Sequence, residues 1–337
     1  MKKTLFTLAA LLGFAWTAQA ANVELKIATA APGASSWVQA MRDTAAEIKE
    51  KTEGRVTIKY YVGGVQGSDE QVLKKMRIRN LHGGAFTPSA LGSIYPDINL
   101  YGLPLVFDSY DEANYVRERM DQMLIDGLDD KGYVTFGFAA TGFAFMMSSD
   151  PAATVNDLRG RKVWVPEGDE ISYEALQAIS VSPTALPLTD VMVGLQTKLL
   201  DIVAVSPTGA LFLQWYTRVK YVTDLPLVYT YGFTAIDKKM FDRISPEDQQ
   251  IVREVVTRAY AEFNEAGKTD NDEAMQAILG KGLTLVPVDS AEAASIRSKV
   301  AAANGKLADR GLVSREMYDL MLQHREEFRN GQSAAAN

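Results

Sequence analysis

The residues best suited to chemistry lie in one stretch, Asp157–Ser180, which reads DLRGRKVWVPEGDEISYEALQAIS. Trp164 offers an aromatic face that can stack on a ring or attract a cation. Three carboxylates follow, on Glu167, Asp169 and Glu170. They could supply the counter-charge of a bound amine, or they could cap the next helix and complement its dipole.

Local patterns place these side chains at the junction of a strand and a helix. Arg161–Val165 has the composition of a short strand, and Pro166 and Gly168 are predicted to end it. Asp169 is the predicted N-cap of a helix with an apolar face of Ile171, Ala175, Leu176 and Ile179. A strand that delivers a side chain to a helix N-terminus often forms a ligand site in open α/β sheets.

Signatures of enzymes are absent from the sequence. No G-x-S-x-G, G-x-G-x-x-G, P-loop or H-E-x-x-H motif occurs. The two histidines, His82 and His324, are far apart, and the absence of cysteine excludes disulfides, thiolate zinc sites and cysteine nucleophiles. We therefore expect a protein that is not an enzyme and that has no cofactor and no metal site.

Length and composition indicate an ordinary globular protein. The chain has 337 residues, of which 47% are hydrophobic and 23% charged, and this length favours two domains over one. The formal charge of −7 comes without a basic cluster. Nucleic acid is therefore not an expected partner.

The N-terminus, Met1–Ala20, has the features of a signal peptide cleaved after Ala20. Lys2 and Lys3 form its charged start, Leu5–Trp16 its apolar run, and Ala18-Gln19-Ala20 its small-residue cleavage site. No cysteine follows for lipid attachment, and no other apolar stretch has the length of a membrane span. We expect an exported, soluble protein without a membrane anchor.

The first third of the chain predicts alternating strands and helices. Alternation of apolar and polar residues predicts strands over Val23–Thr29 and Arg55–Tyr61, with a capped helix between them. Ser68 and Gln71 have the spacing of a capping box for a second helix. This order is typical of a βαβ unit in a partly parallel sheet. Asn80–Ser93, rich in Gly, Ser, Thr and Pro, is predicted to be an irregular loop.

Two segments are predicted to cross between halves of the molecule, namely Val134–Ser148 and Tyr221–Asp237. Val134–Ser148 is predicted to be a strand with a turn at Thr141-Gly142, and the second segment is strand-like over Leu227–Thr234. Between them, Leu200–Val205 is predicted to be an apolar strand and Leu211–Lys220 a helix that starts after a break at Ser206-Pro207.

The longest helical pattern starts at Ser245-Pro246 and continues to Leu279. Unbroken, it would be about 50 Å long at 1.5 Å per residue, and Gly267 and Gly280 are positions where it could kink or end early. Helices over Ala291–Arg310 and Ser314–Arg329 follow, and residues 330–337 are predicted to be disordered.

The order of these segments resembles the solute-binding proteins of TRAP (tripartite ATP-independent periplasmic) transporters, of the DctP type. The resemblance is carried by Gly54-Arg55-Val56, Gly63–Gly67, Leu103–Phe107 and Asp157–Pro166, and it covers essentially the whole mature chain. It implies an α/β, two-lobe periplasmic binding protein fold, with a long helix spanning both lobes and the ligand in the interlobe cleft. It also implies a small-molecule solute and the transporter's membrane subunits as partners, in the periplasm.

The resemblance implies lobe boundaries as well. It places residues 21–141 and 231–265 in the N-terminal lobe, and residues 142–230 and 266–329 in the C-terminal lobe. The crossing segments Phe138–Gly142 and Tyr229–Phe233, together with the long helix, are expected to form the hinge.

The sequence departs from the family pattern at both arginine positions, and Lys198 and Ile202 replace glycines of the family's L-Q-x-G-x-[IV]-D-G segment. The family usually shows D-L-K-G-x-K-[IV]-R-V-P, and its arginine clamps the carboxylate of the solute, whereas this chain has Trp164 at that position. A second family arginine, in a G-x-R context, corresponds to Ala144. A desolvated carboxylate needs paired donors, which neither tryptophan nor alanine supplies. Trp164 itself could line the cleft, as its segment suggests, or pack in the core, as aromatic residues on strands usually do.

Three kinds of ligand remain open. A neutral or apolar ligand would stack on Trp164, Phe143 and Phe145. A small amine would lie over Trp164, with a counter-charge from Glu167, Asp169 or Glu170. An acid would need an arginine from elsewhere, such as Arg77, Arg79 or Arg161.

Further candidates for ligand contact lie in loops that face the expected cleft, although each residue alone is more commonly a packing residue. They are Trp37, Phe86, Ser89, Ser206 and Trp215. Together they predict an aromatic, weakly polar pocket.

The function that these features imply is a periplasmic receptor that delivers a small organic solute to a TRAP transporter. The alternatives are a sensor subunit that presents its ligand to a membrane receptor kinase and, with less support, an exported enzyme on the same scaffold.

Overall fold

The computed structural model describes residues 22–335, so the predicted signal peptide lies outside the described residues. The strands are β1 (Val23–Thr29), β2 (Val56–Tyr61), β3 (Gly83–Phe86), β4 (Tyr133–Val134), β5 (Ala139–Ser148), β6 (Val163–Pro166), β7 (Pro183–Leu186), β8 (Ile202–Val205), β9 (Tyr221–Asp237) and β10 (Thr284–Val286).

Helices cover the strands and connect them. The α-helices are α1 (Ser36–Lys51), α2 (Asp69–Arg77), α3 (Pro88–Leu91), α4 (Tyr110–Asp130), α5 (Val155–Leu158), α6 (Glu170–Ala178), α7 (Val191–Gln196), α8 (Pro207–Phe212), α9 (Lys238–Phe241), α10 (Pro246–Gly280), α11 (Ser290–Asp309) and α12 (Arg315–Ala335). Short 3₁₀ segments occur at Pro96–Gly102, Leu188–Asp190 and Trp215–Thr217.

The strands pair in the order β2-β1-β3-β9-β5-β8-β6-β7, with β4 and β10 also paired to β9. We call the part built on β1–β4 and the end of β9 the first lobe, and the part built on β5–β8, β10 and the rest of β9 the second lobe. β9 is continuous over 17 residues and belongs to both. Its Phe233 pairs with Phe86 of β3, whereas its Tyr221 pairs with Ser148 of β5.

The first lobe contains the predicted βαβ unit, because β1 and β2 are parallel and α1 connects them. The capping box at the start of α2 is also confirmed, with Ser68 and Gln71 bonded reciprocally. The prediction of an irregular loop over Asn80–Ser93 is wrong, because β3 lies there between β1 and β9. The glycines of β3 serve close packing: a Cβ on Gly83 would lie 2.7 Å from the Ala235 carbonyl oxygen.

The prediction of a helix over Leu211–Lys220 is also wrong. α8 starts earlier, at Pro207, and Ser206 caps it by accepting from the Gly209 N–H at 3.2 Å. Proline is favoured in the first helical turn because its missing N–H would be unpaired there anyway. The chain then leaves the helix through Gln214, whose φ is 59°.

The long helix α10 is confirmed as one unbroken element of 35 residues, which is about 52 Å at 1.5 Å per residue. Val252 and Val255 in its N-terminal half pack in the first-lobe core with Leu25 of β1. Ile278 near its C-terminal end packs in the second-lobe core with Trp164. The helix therefore spans both lobes.

The C-terminal helix differs from its prediction. α12 continues through Ala335, so residues 330–335 are helical where disorder was predicted, and residues 336–337 lie outside the described part. Met317 and Met321 of α12 share a core with Met120 and Leu124 of α4, which the predicted boundaries placed in the other lobe. None of the helices within residues 22–335 has the length and apolar character that crossing a membrane requires.

Candidate functional site

A cavity of about 570 Å³ lies between the two lobes. The first lobe contributes Gly67–Asp69 and Thr87 to its wall, and the second lobe contributes Trp164 with Pro166–Gly168. A smaller and more apolar cavity of about 180 Å³ adjoins it. The two cavities have four wall residues in common, namely Ala30, Asp69, Thr87 and Leu188.

Trp164 is a core side chain that also lines the cavity. It is only 5% exposed, and its indole Nε1 donates to the Leu186 carbonyl oxygen at 3.0 Å. Its ring packs edge-to-face on Trp215, with the ring centroids 5.2 Å apart. The indole N–H and much of the ring surface of Trp164 therefore already make contacts within the second lobe.

The carboxylates after β6 have different surroundings. Asp169 caps α6, since its Oδ1 accepts from the Ser172 N–H at 2.9 Å, as predicted for this position. Burial raises the pKa of Asp169, and the hydrogen bonds from Ser172 oppose that rise. Glu167 and Glu170 are exposed side chains on the wall of the larger cavity.

Three of the other predicted contact residues also line these cavities. Ser89 lies on the wall of the larger cavity, and Trp37 and Phe86 lie on the wall of the smaller one. Trp37 is held edge-on against Phe263 of α10, with the ring centroids 4.8 Å apart.

Four predicted contact residues line neither of these two cavities. Phe143 packs edge-on against Tyr110 and Tyr229, and Phe145 packs against the hydrophobic cores. Ser206 is the buried cap of α8, and Trp215 is the packing partner of Trp164.

The three arginines considered for an acidic ligand are far from equivalent. Arg161 donates to the carbonyl oxygens of Asp150 and Pro151, at 3.2 and 3.3 Å, and Arg79 lines neither cavity. Arg77, at the end of α2, is exposed and lies on the wall of the larger cavity. Arg310 lies on the same wall and pairs with Glu174 at 2.8 Å.

Asp69 is the residue that the sequence analysis missed. It lines both cavities and is partly buried, and its Oδ2 accepts from the Thr87 hydroxyl at 3.3 Å. Burial raises the pKa of Asp69 to about 6, hydrogen bonds from the side chain and the backbone of Thr87 oppose that rise, and the charge of Glu167 adds to it. Its position just after Ser68 in a capping box gave it the appearance of an ordinary first-turn acid.

The arrangement of the described residues is suited to holding a small molecule. Within residues 22–335 there is no group of three or more His, Asp or Glu side chains placed to hold a metal ion. The cavity instead offers apolar surface, carboxylates, a few hydroxyls and the basic side chains of Lys74, Arg77 and Arg310, in a cleft between two lobes.

Family comparison agrees with this geometry. The profile of the DctP family, described as bacterial extracellular solute-binding protein family 7, matches residues 27–309. The chain belongs to this family. The match includes every cavity-lining segment except Arg310–Leu312. The family resemblance is thus confirmed, and with it a solute-binding rather than an enzymatic protein.

Individual relatives are distant but cover most of the chain. The ectoine/5-hydroxyectoine-binding periplasmic protein UehA of Ruegeria pomeroyi is 26% identical, over 72% of this chain and 75% of its own length. A solute-binding protein of Chromohalobacter salexigens is 24% identical, over 76% of each chain.

Solved structures support the two-lobe fold. The sugar acid binding protein DctPAm of Advenella mimigardefordensis, in complex with galactonate, superposes with a TM-score of 0.84. It is 19% identical, and the match covers 91% of this chain and 99% of that one. At this identity the likeness concerns the fold alone.

Proposed function

We propose that this protein is the periplasmic receptor of a TRAP transporter, which captures a small organic solute between its lobes and delivers it to the membrane subunits. The observation that carries the proposal is the cavity of about 570 Å³ with walls from both lobes, in a member of the DctP family. This volume is within the range of small-molecule sites in proteins. Export by the predicted signal peptide would place the receptor in the periplasm.

The solute should not be a simple acid held by the usual pair of arginines. Trp164 donates its only side-chain N–H within the second lobe, and Ala144 is 2% exposed and has no side-chain donor. A carboxylate taken out of water at this point would lack the charge-assisted bonds that offset its desolvation. We infer a solute that is neutral or carries a positive charge.

The compounds named for two relatives differ in whether they carry a positive charge. Galactonate, bound by the Advenella protein, is an acid without a positive charge. Ectoine, for which UehA is named, combines a carboxylate with a cationic ring. The two compounds therefore serve as probes of ligand charge.

The test is isothermal titration of the purified mature protein with a panel of small neutral, cationic, zwitterionic and anionic solutes that includes these two compounds. Mass spectrometry of molecules released on unfolding adds candidates to the panel. We expect at least one tight neutral, cationic or zwitterionic ligand and weak or no binding of galactonate. Failure of every class to bind would count against the receptor function. Tight binding of plain carboxylates alone would contradict the assignment of ligand charge.

A further inference from the structure

We propose that Asp69 and Glu167 hold a positively charged group of the solute, with one carboxylate from each lobe. This inference rests on the proposed function, because it names the ligand class of the same cavity. Without the two family arginines, the solute could be neutral or positively charged, and the two carboxylates favour a positively charged one.

The position of Asp69 is not explained by the needs of its helix. At the start of α2, Ser68 Oγ accepts from the Gln71 N–H, and Gln71 Oε1 accepts from the Ser68 N–H at 3.1 Å. The cap is therefore complete without Asp69. The carboxylate of Asp69 instead faces the space where the two cavities meet, with hydrogen bonds from the side chain and the backbone of Thr87.

No described cation neutralises this carboxylate. Within residues 22–335, neither Asp69 nor Glu167 forms an ion pair, whereas Lys74 pairs with Glu70 at 2.6 Å and Arg310 pairs with Glu174. Arg77 lies eight residues further along α2, which is about 12 Å along the helix axis. The other charged groups on the walls of the two cavities are Glu70, Lys74, Glu170, Arg310 and Asp270.

Glu167 approaches from the opposite lobe, and its negative charge acts on Asp69 across the cavity. Two like charges that face each other oppose the approach of the lobes while the site is empty. A cationic group between them turns this repulsion into two attractions, one to each lobe. The same group would therefore provide both affinity and part of the driving force for closure.

A neutral ligand would leave this pair of charges desolvated and uncompensated when the lobes close. An anionic ligand would add a third negative charge. Of the three cations on the wall, Lys74 and Arg310 are already paired with Glu70 and Glu174, and Arg77 by itself does not provide the two converging clamps that the family uses. The arrangement of charge thus favours an amine, an amidinium or a quaternary ammonium group, with or without a carboxylate elsewhere in the solute.

The test uses the same solute panel and three variants, each of which removes one negative charge. Asp69→Asn keeps the shape of the side chain and an oxygen that can accept from Thr87. Glu167→Gln keeps the shape of the side chain on the opposite lobe. Asp224→Asn is the matched control, because Asp224 is exposed on β9 and lines neither cavity. Ectoine and the tightest-binding amine of the panel are the probes, titrated calorimetrically.

For a cationic ligand we expect Asp69→Asn to raise Kd roughly 10- to 100-fold, the size of a lost hydrogen bond to a charged group. Glu167→Gln should raise Kd about 3- to 10-fold, because water screens an exposed carboxylate more strongly. Asp224→Asn should change Kd less than twofold. These ratios separate a contact at the site from a general effect of net charge.

The pH dependence gives a readout that a structural role would not produce. Since the pKa of Asp69 is raised to about 6, cation affinity of the native protein should be full above pH 7 and should fall as pH drops below 6. Asp69→Asn should remove most of this dependence. A native-like pH profile in Asp69→Asn would overturn the role of Asp69.

The two proposals fail in different ways. If the panel shows tight ligands without positive charge, and Asp69→Asn binds them as well as the native protein does, the cation site is wrong while the receptor function holds. If no class of solute binds, both proposals are overturned. Tight cationic ligands whose Kd changes less than twofold in Asp69→Asn and Glu167→Gln would likewise overturn the assignment of these two carboxylates.

Discussion

At the scale of single residues, Asp69 should lower the stability of the empty receptor. Its folded-state pKa of about 6 lies above the ordinary value of 3.8, so folding favours the protonated form. Below pH 3.8 both states are protonated and there is no cost, whereas above pH 6 the folded state carries the full cost of the buried charge. At pH 7.5, the free energy of unfolding of ligand-free Asp69→Asn should therefore be about 1–3 kcal/mol higher than that of the native protein.

Urea unfolding at pH 7.5 and pH 4 would measure this difference, which should shrink towards zero at the lower pH. Asp224→Asn, which is exposed, should show no comparable gain at either pH. A ligand-free Asp69→Asn protein that is less stable than the native protein at pH 7.5 would show that the first turn of α2 needs this carboxylate.

Trp164 should contribute mainly to the stability of the folded protein and less to ligand affinity. Because it is 5% exposed, packs on Trp215 and donates to Leu186, Trp164→Ala should lower the free energy of unfolding by roughly 3–5 kcal/mol without ligand. Trp164→Phe retains a ring and should lose less, about 1–3 kcal/mol. Thermal melts with and without a saturating ligand would separate the roles. A small ligand-free loss with a strongly reduced ligand-induced shift would make Trp164 a contact residue instead.

At the scale of elements, patterns within a short stretch predicted structure well. The capping box of α2, the cap of α6 at Asp169 and the length of α10 depend on neighbouring residues, and each is confirmed. Glycine and proline are poor guides to local structure here because each has two structural uses. The glycines of β3 allow close strand packing, and Pro207 starts a helix that it was expected to exclude.

The candidate site was harder to predict because its parts come from distant segments. The burial of Trp164 depends on Trp215, and the surroundings of Asp69 depend on Thr87 and on Glu167 in the other lobe. A single sequence shows residue types and local spacing, but it does not show which loops meet at a cavity. The departure from the family arginines was visible, whereas the carboxylate that faces the cavity was not.

The long helix should stabilise the crossing segment through Asn264. Its Nδ2 donates to the Phe138 carbonyl oxygen at 2.9 Å, and its Oδ1 accepts from the Ala140 N–H at 2.7 Å. Asn264→Ala would leave the Ala140 N–H without this partner, whereas the Phe138 carbonyl oxygen would keep its bond from Arg117 Nη2 at 2.7 Å, and the change should cost about 1–3 kcal/mol of unfolding free energy. Glu265→Ala, an exposed change at the next position, should cost less than 0.5 kcal/mol in the same urea experiment. Equal losses in the two variants would show that the bonds of Asn264 do not stabilise the crossing segment.

At the scale of the whole molecule, the two lobes touch at the rim of the cleft. Gly64, in the loop between β2 and α2, lies so close to Thr189 of the second lobe that an added Cβ would be 2.6 Å from Thr189 Cγ2. This contact is possible only while the lobes are together. A side chain at residue 64 should therefore hinder closure without entering the cavity.

Gly63 provides a control for backbone strain. The φ angles of Gly63 and Gly64 are 68° and 69°, so alanine is strained to a similar extent at both positions, but a Cβ on Gly63 has no atom within 4 Å. Gly63→Ala and Gly64→Ala should therefore lose similar amounts of unfolding free energy without ligand. Only Gly64→Ala should also bind the solute less tightly, by roughly 10-fold or more, because about 1–3 kcal/mol of overpacking opposes closure.

Small-angle scattering would test whether this loss of affinity is accompanied by incomplete closure, which is measured as a larger radius of gyration. With saturating ligand, the native protein and Gly63→Ala should show a smaller radius of gyration than without ligand, whereas Gly64→Ala should remain more extended. Replacing Thr189 by serine removes the Cγ2 atom that meets the new side chain, so the Gly64→Ala/Thr189→Ser double variant should regain both closure and affinity. A radius that does not change in the native protein at saturation would contradict closure by a hinge motion. Equal affinities of the two alanine variants would show that contact at the rim does not limit binding.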